Sequence, residues 1–361
     1  MSCEQIVQLS REKTDIKSLT LEELSGQLKE LGCPAFRGGQ VYRWLHQRRA
    51  SDFSQMSDLS LQLRSQLAER YYINVVQVEK KLVSAIDGTQ KFLYRLMDGE
   101  CVEGVLMEYH HGNSLCISTQ VGCRMGCRFC ASTLTGLARN LTPSEMLDEV
   151  YAAEEATGKT VNSLVLMGIG EPLDNFDNVL RFLELLSSPE GKNLSLRHVS
   201  LSTCGLVDRI YQLMEKKLQL TLSISLHAPN DRIREQTMPV NRRWNMEQLL
   251  KACRDYFRAT SRRISFEYAL IQGVNDSPEA ARELAERLRG MPAHVNLIPV
   301  NAVRERGYRR SSGEQIRRFV EILENNGVNA TVRRELGSDI NAACGQLRRE
   351  SRRSAGQNGG A

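Results

Sequence analysis

The chain has 361 residues, 41% of them apolar, and 48 Lys and Arg against 43 Asp and Glu, for a formal net charge of +5. That length allows a large core or two domains. No apolar run nears the ~18 residues of a membrane span, and Met1-Ser-Cys-Glu-Gln5 lacks the basic-then-apolar order of a secretory signal. Most of the ten cysteines are scattered singly in a chain too long to need staples, which fits a reducing cytoplasm. The modest basic surplus suits either a polyanionic partner or a solvated surface.

Residues 1 to about 97 read as a small, mainly helical unit. A helix is predicted over 18–31, opened by Thr20 and Glu23 as a capping box. A second is predicted over 38–47, with Val41, Trp44 and Leu45 at helical spacing, and a third over 59–71. Strands over 75–82 and 91–96 follow, joined by a turn at Asp87-Gly88. Arg37, Arg43, Arg48 and Arg49 cluster on and beside the second helix, which alone favours a solvated face, with Trp44 in the core.

From about residue 98 to 335 the pattern becomes strand, loop, helix, repeated. The first strand, 115–119, contains Cys116 and is preceded by Glu103, where a surface acid is the plain expectation. Then comes Val121-Gly-Cys-Arg-Met-Gly-Cys-Arg-Phe-Cys-Ala131, with Cys123, Cys127 and Cys130 spaced C-x3-C-x2-C. Packing gives no reason for such clustering. Three thiolates can hold three corners of a cubane iron–sulfur cluster, and with no fourth cysteine close in sequence one iron stays open. Zinc is the rival, but it wants four ligands, commonly as two dyads, and no second dyad is present.

Thr142-Pro-Ser-Glu145 provides an N-cap, a proline at N1 and a capping glutamate for a helix to about 156. Further pairs are strand 161–167 with helix 175–186, 198–202 with 207–216, 220–226 with 245–259, 263–270 with 277–289, and 294–300 with 313–325. A short strand at 328–333 ends the series. Six or more such units imply a parallel sheet, closed as a full or partial barrel, with a doubly wound open sheet as the alternative.

Ligands bind at the C-terminal strand ends of such folds, and the polar oddities fall there. Gly168-Ile-Gly-Glu-Pro172 follows the second strand, its glycines fitting close ligand approach or a tight turn, and Glu171 offering an acceptor. Ser200-Leu-Ser-Thr203 ends the third. On the fourth, Thr221, Ser223, Ser225 and His227 alternate with Leu222, Ile224 and Leu226, so one face is polar inside a sheet type that is usually apolar on both. That implies a polar cavity. The sixth strand brings Asn301 to the same mouth. Cys344 sits in a small, unhindered Ala-Ala-Cys-Gly setting within a C-terminal segment, 336–347, and the basic, Gly-rich tail 348–361 reads as disordered.

Around Cys123–Cys130 the sequence resembles the radical S-adenosylmethionine (SAM) enzymes. The likeness extends to Phe36-Arg-Gly-Gly-Gln-Val-Tyr-Arg-Trp44, Leu115-Cys-Ile-Ser-Thr-Gln-Val-Gly-Cys123, Gly168-Ile-Gly-Glu-Pro172, Ser225-Leu-His-Ala-Pro229, Gly273-Val-Asn-Asp276 and Asp339-Ile-Asn-Ala-Ala-Cys-Gly-Gln-Leu347. Together these resemble the RNA adenine-C2 methyltransferase family over all but the extreme N-terminus and the tail.

That resemblance implies an α/β fold: a partial (β/α)6 TIM-like barrel of the radical SAM type, with an N-terminal RNA-binding accessory domain and a C-terminal extension. It implies a 4Fe–4S cluster on Cys123, Cys127 and Cys130, with SAM held by Gly170, Glu171, Ser202, Ser225, Leu226, His227 and Asn301. It also implies Cys344 as methyl carrier, Cys116 as the cysteine that releases product through a transient Cys116–Cys344 disulfide, and Glu103 as proton acceptor. Two SAM would be used per turnover, one to methylate Cys344 and one to supply a 5′-deoxyadenosyl radical. The implied substrates are an adenosine in the peptidyl-transferase centre of 23S rRNA and the adenosine 3′ of the tRNA anticodon. A flavodoxin- or ferredoxin-type electron donor and a monomeric cytoplasmic enzyme complete the expectation. Ile169 stands where the family commonly has methionine, and Pro172 where a sister branch methylating C8 tends to have alanine.

Overall fold

The computed structural model describes residues 12–300 and 307–342, so Asn301, Cys344 and the tail lie outside the described residues. In the N-terminal unit a short parallel pair, β1 (Thr14–Asp15) and β2 (Tyr71–Tyr72), ties together three helices: α1 (Leu21–Glu30), α2 (Phe36–His46) and α3 (Leu61–Arg70). The expected capping box opens α1, with Glu23 N–H donating to Thr20 Oγ1 at 3.1 Å and Thr20 N–H to Glu23 Oε2 at 2.9 Å. Gly38 lets α2 press on α1, since a Cβ there would lie 2.8 Å from Ser25 Cα.

The centre is one ten-stranded sheet. Its strands are β3 (Gln77–Val83), β4 (Gln90–Arg95), β5 (Cys101–Tyr109), β6 (Gly112–Cys116), β9 (Val161–Leu166), β10 (Val199–Thr203), β11 (Thr221–Ser225), β12 (Ile264–Leu270), β13 (Ala293–Pro299) and β14 (Asn329–Val332), with β7 (Gln120–Gly122) and β8 (Leu137–Asn140) as a separate antiparallel pair. From β6 through β14 the sheet is parallel and keeps chain order without reversal. There is therefore no switch point of the doubly wound kind. From β3 to β6 it is antiparallel. The strands expected at 75–82 and 91–96 thus hydrogen-bond into the central sheet, and β5, which the sequence pattern does not declare as a strand, joins them to it.

The sheet is curled. Val105 and Met107 on β5 and Ile298 on β13 line one cavity, yet flat strands ~4.8 Å apart would put β5 and β13, six spacings away, ~29 Å apart. The outer edges β3 and β14 do not pair, which makes the barrel partial.

Helices cover the outside: α4 (Pro143–Thr157), α5 (Phe176–Ser187), α6 (Val207–Glu215), α7 (Asp231–Thr237), α8 (Met246–Thr260), α9 (Pro278–Leu288) and α10 (Gly313–Asn325). The capping box at Thr142 and Glu145 forms as expected. Among the described residues no helix is long and apolar enough to cross a membrane.

The N-terminal unit docks on α4 through buried polar groups. Lys17 Nζ donates to Asp148 Oδ1 at 2.7 Å and to Asn74 O at 2.8 Å, and Asn74 Nδ2 donates to Asp148 Oδ2 at 3.0 Å. Arg49 pairs with Glu154 on α4 rather than facing solvent with its neighbours. Beside them His46 is buried against Tyr42 and meets Tyr151 OH at 3.2 Å. Burial depresses its pKa from 6.5 to about 3. The fold therefore favours the neutral imidazole, and the stability it contributes is complete above 6.5 and lost as pH falls from 6.5 toward 3. Between pH 6.5 and 5 this amounts to about 2 kcal/mol. His46→Phe should remove that share of the acid destabilisation, read as urea-unfolding free energies at the two pH values.

Candidate active site

The cysteine loop does not come directly after the first strand. A clasp intervenes, in which β7 and β8 pair from Gln120↔Asn140 to Gly122↔Leu137, and Cys123 N–H closes the loop on Gly136 O at 3.0 Å. Inside it, Cys130 N–H donates to Cys127 O, and Thr133 Oγ1 donates to the carbonyls of both. Arg124 grips Asp174 with two N–H donors.

The clasp is held by the loop after β9. Gly168 N–H donates to Ile117 O at 2.9 Å, Ile169 N–H to Ser118 Oγ at 3.1 Å, and the N–H groups of Thr119 and Gln120 both reach Ile169 O. A Cβ at Gly168 would lie 2.5 Å from Ile117 O, and one at Gly170, whose φ is +111°, 2.6 Å from Gln120 Cβ. These glycines are required by backbone crossing backbone.

A cavity of about 350 Å3 opens at the C-terminal strand ends, lined among others by Cys123, Cys127, Cys130, Gly170, Glu171, Ser202, Ser225, His227 and Cys116. Burial pushes the Cys123 thiol up to about 12 and Cys127 higher still, with Cys130 and Cys123 adding to the rise at Cys127. Ionising them there requires a cation. Among the described residues no three His, Cys, Asp or Glu side chains converge on a point able to hold a single metal ion. Thiols facing one cavity from one loop suit a polynuclear cluster, in which each sulfur takes a different iron.

The fold also brings in a fourth cysteine. Cys204, just past β10, lines the same cavity, but burial raises its thiol far above the usual range and its side chain is hydrogen-bonded to Glu171. Glu171 itself is buried, accepting N–H from Leu173 at 3.0 Å and from Cys204 at 2.7 Å, and burial raises its pKa.

The polar ladder of the fourth strand is present. Leu222, Ile224 and Leu226 are wholly buried on one side, while Ser225 and His227 line the cavity and Ser225 Oγ lies 3.4 Å from Ser202 Oγ. His227 has φ +54°, accepts Ala269 N–H on Nδ1 at 2.9 Å, and packs edge-on to Phe129 of the cysteine loop. That bond leaves the proton on Nε2. Asn275, in the Gly273–Asp276 motif, fixes this turn. Its Nδ2 donates to His227 O and Ala269 O at 2.8 and 2.7 Å, and its Oδ1 accepts Ile271 N–H at 2.8 Å. Leu226, buried on the other side of the strand, is absent from the cavity wall.

Glu103 is not a surface acid. It is 4% exposed on β5 and pairs with buried Lys91 at 2.9 Å. The register explains this: Lys91↔Val105 and Val105↔Cys116 are cross-strand partners, so Lys91 and Cys116 share a row and Glu103 lies diagonal to both. Lys91 also donates to Asn341 O at 2.9 Å, and Asp339 accepts from Ser84 Oγ and Ala85 N–H. The C-terminal segment is thereby pinned to the β3–β4 turn, and Ala342, the last described residue, packs against the cluster of Val105, Met107 and Cys116.

Sequence reasoning does not single out Lys91, Cys204 or Glu267. The last lines the cavity and accepts from Asn296 Nδ2 at 2.7 Å and Ser265 Oγ at 3.1 Å. Its signal was the alternation Ser265, Glu267, Ala269 on the fifth strand. Trp44 is half-buried, with the guanidinium of Arg48 4.2 Å above its ring, and Arg37 stacks on exposed Phe36.

The Radical SAM superfamily model matches residues 117–288, and the model for the ribosomal RNA large subunit methyltransferase N-terminal domain matches residues 14–73. A protein from Lachnoclostridium phytofermentans named probable dual-specificity RNA methyltransferase RlmN is 53% identical over 94% of this chain and 95% of its own. The protein of the same name from Lachnospira eligens is 51% identical over 93% and 96%. A radical SAM methyltransferase crystal structure from Sphaerobacter thermophilus superposes with a TM-score of 0.86 at 43% identity, over 92% of this chain and 98% of that one.

Asn275→Ala would strip three buried backbone groups of their partner and should cost about 3 kcal/mol or more in urea unfolding. Lys91→Met would strand a buried carboxylate and should cost about 3–5 kcal/mol, while Glu103→Gln paired with it should recover part of the loss.

Proposed function

Since the chain belongs to the RlmN family of dual-specificity RNA methyltransferases, we propose that it methylates C2 of adenosine, both in the peptidyl-transferase centre of 23S rRNA and 3′ of the tRNA anticodon. One observation carries the reading. The cysteine triad and Cys116 face the same cavity, and Ala342 of the pinned C-terminal segment, two residues before Cys344 in sequence, packs against the cluster that contains Cys116.

Cys123, Cys127 and Cys130 would hold the 4Fe–4S cluster, and Gly170, Glu171, Ser202, Ser225, Leu226, His227 and Asn301 would hold SAM. Leu226 would act through its backbone, since its side chain faces away from the cavity. Together these groups, when bound, supply a 5′-deoxyadenosyl radical, which is the chemistry C2 needs. That carbon lies between two ring nitrogens, is electron-poor, and will not attack the electrophilic methyl of SAM, whereas a carbon radical can add to it.

The chain's own residues then divide the work. Cys344 takes a methyl by nucleophilic displacement from one SAM, and a second SAM is the radical source. Glu103, oriented by Lys91, accepts the proton lost from C2. Cys116 attacks the sulfur of Cys344, forming the S–S bond as the bond from that sulfur to the carbon now on C2 breaks; the electron pair leaves with the carbon, which takes a proton to complete the methyl group. An external thiol would reduce the disulfide left behind, and a flavodoxin- or ferredoxin-type donor would supply the electron for radical formation. Arg310, Arg333 and Arg334 at the cavity mouth, with Arg37, Arg43 and Arg48 on the N-terminal unit, suit the phosphates of a target whose adenosine is flipped out of its stack. We take the enzyme to act as a monomer in the cytoplasm, where both RNAs are found.

The test is anaerobic cluster reconstitution, then SAM, dithionite and either 23S rRNA or tRNA, with the digested RNA read by mass spectrometry. The expected product is 2-methyladenosine from both. Its absence sinks the reading, and 8-methyladenosine replaces C2 by C8. Cys344→Ala should abolish product, and methylation by that variant would remove the carrier role.

A further inference from the structure

Arg234 on α7 is the largest wholly buried side chain among the described residues, at 0% exposure. Its guanidinium donates to Cys204 O at 2.6 Å, Asn241 Oδ1 at 3.1 Å, Leu226 O at 3.3 Å and Ser225 O at 3.4 Å. Every acceptor is neutral, and among the described residues no carboxylate forms an ion pair with it. A buried charge satisfied in hydrogen bonds but not in charge is costly. Neutral acceptors alone would not require an arginine.

The placement suggests the missing negative charge. Arg128 N–H, between Cys127 and Cys130, donates to Thr237 O at 2.8 Å, so the helix bearing Arg234 is the wall behind the cysteine loop. Burial works against the charge of Arg234, and the groups whose negative charge would favour it are Cys204, Cys127 and then Asp231, which Arg234 meets only through Asn241; Arg234 in turn works against the burial that raises Cys127. Three thiolates on a 4Fe–4S core of charge 2+ leave a net charge of −1, which one-electron reduction takes to −2.

We propose that Arg234 is a positioning residue whose uncompensated charge offsets the negative charge of the cluster and makes its one-electron reduction easier, while its planar fork fixes the ends of β10 and β11. This rests on the cluster reading above. The cluster keeps its composition in the step, gaining one electron from dithionite and no proton.

The test compares Arg234→Gln, which keeps amide donors and loses the charge, with Arg234→Lys, which keeps the charge and loses the fork. Both are reconstituted anaerobically and titrated with dithionite, the reduced cluster being followed by its electron paramagnetic resonance signal, which reports only assembled protein. The glutamine variant should show at least a tenfold smaller equilibrium constant for reduction, a midpoint about 59 mV more negative. The lysine variant should stay close to wild type. A glutamine variant with an unchanged midpoint, or a lysine variant shifted as far as glutamine, overturns the proposal, and each variant decides by itself. Failure of the wild-type protein to assemble a cluster would instead defeat the reading on which this rests.

Discussion

The loop after β9 crosses the segment between β6 and β7, and most of the site depends on that crossing. Residues 117–120 trade backbone hydrogen bonds with Gly168 and Ile169, and Glu171 N–H reaches back to Gln120 Oε1. This one contact has three consequences. The cysteine loop is fixed against the barrel mouth. Gly170 and Glu171 are carried to the same place, and the carboxylate of Glu171 is aimed at the N–H of Cys204 beyond the third parallel strand. Side chains at 168 and 170 would force the two backbones apart, so the two glycines of Gly-x-Gly-Glu-Pro are a packing requirement before they are anything else.

The repeating units were legible because each rests on short-range physics. Thr142 with Glu145 and Thr20 with Glu23 declare helix starts within four residues, and the alternation along 221–227 declares a strand with one wet face. The features that escaped depend on registers between distant strands. Nothing local says that Lys91 lies opposite Val105, or Val105 opposite Cys116, and without those pairings Glu103 reads as a surface acid. Cys204 escaped for the same reason, being 74 residues beyond Cys130 in sequence and brought near only by the curl of the sheet. The strand at β5 was hidden because Glu103 and Gly104 interrupt an otherwise apolar run.

Polar burial is concentrated where the chain must hold two things in one orientation. Lys17 with Asp148 and Asn74 sets the N-terminal unit against α4, and Lys91 with Glu103 and Asn341 sets the C-terminal segment against β4 and β5. Apolar contacts of equal area would be no less stable, since desolvating an ion pair offsets most of its attraction. They would, however, permit sliding. A directional pair fixes register, and the two ends of the described chain are attached in this way, one to helix α4 and the other to the sheet.

That arrangement bears on how a site can use residues from opposite ends of the chain. The cysteine loop is anchored through the clasp, which the loop after β9 holds, and by Arg128 N–H on Thr237 of α7. The segment ending at Ala342 has a different kind of anchor: one buried lysine, one aspartate on a turn, and a small apolar patch that includes Cys116. Such an anchor sets the point from which the chain runs on toward Cys344. The carrier role proposed for Cys344 would need a fixed origin near Cys116, and an anchor of this kind would supply it.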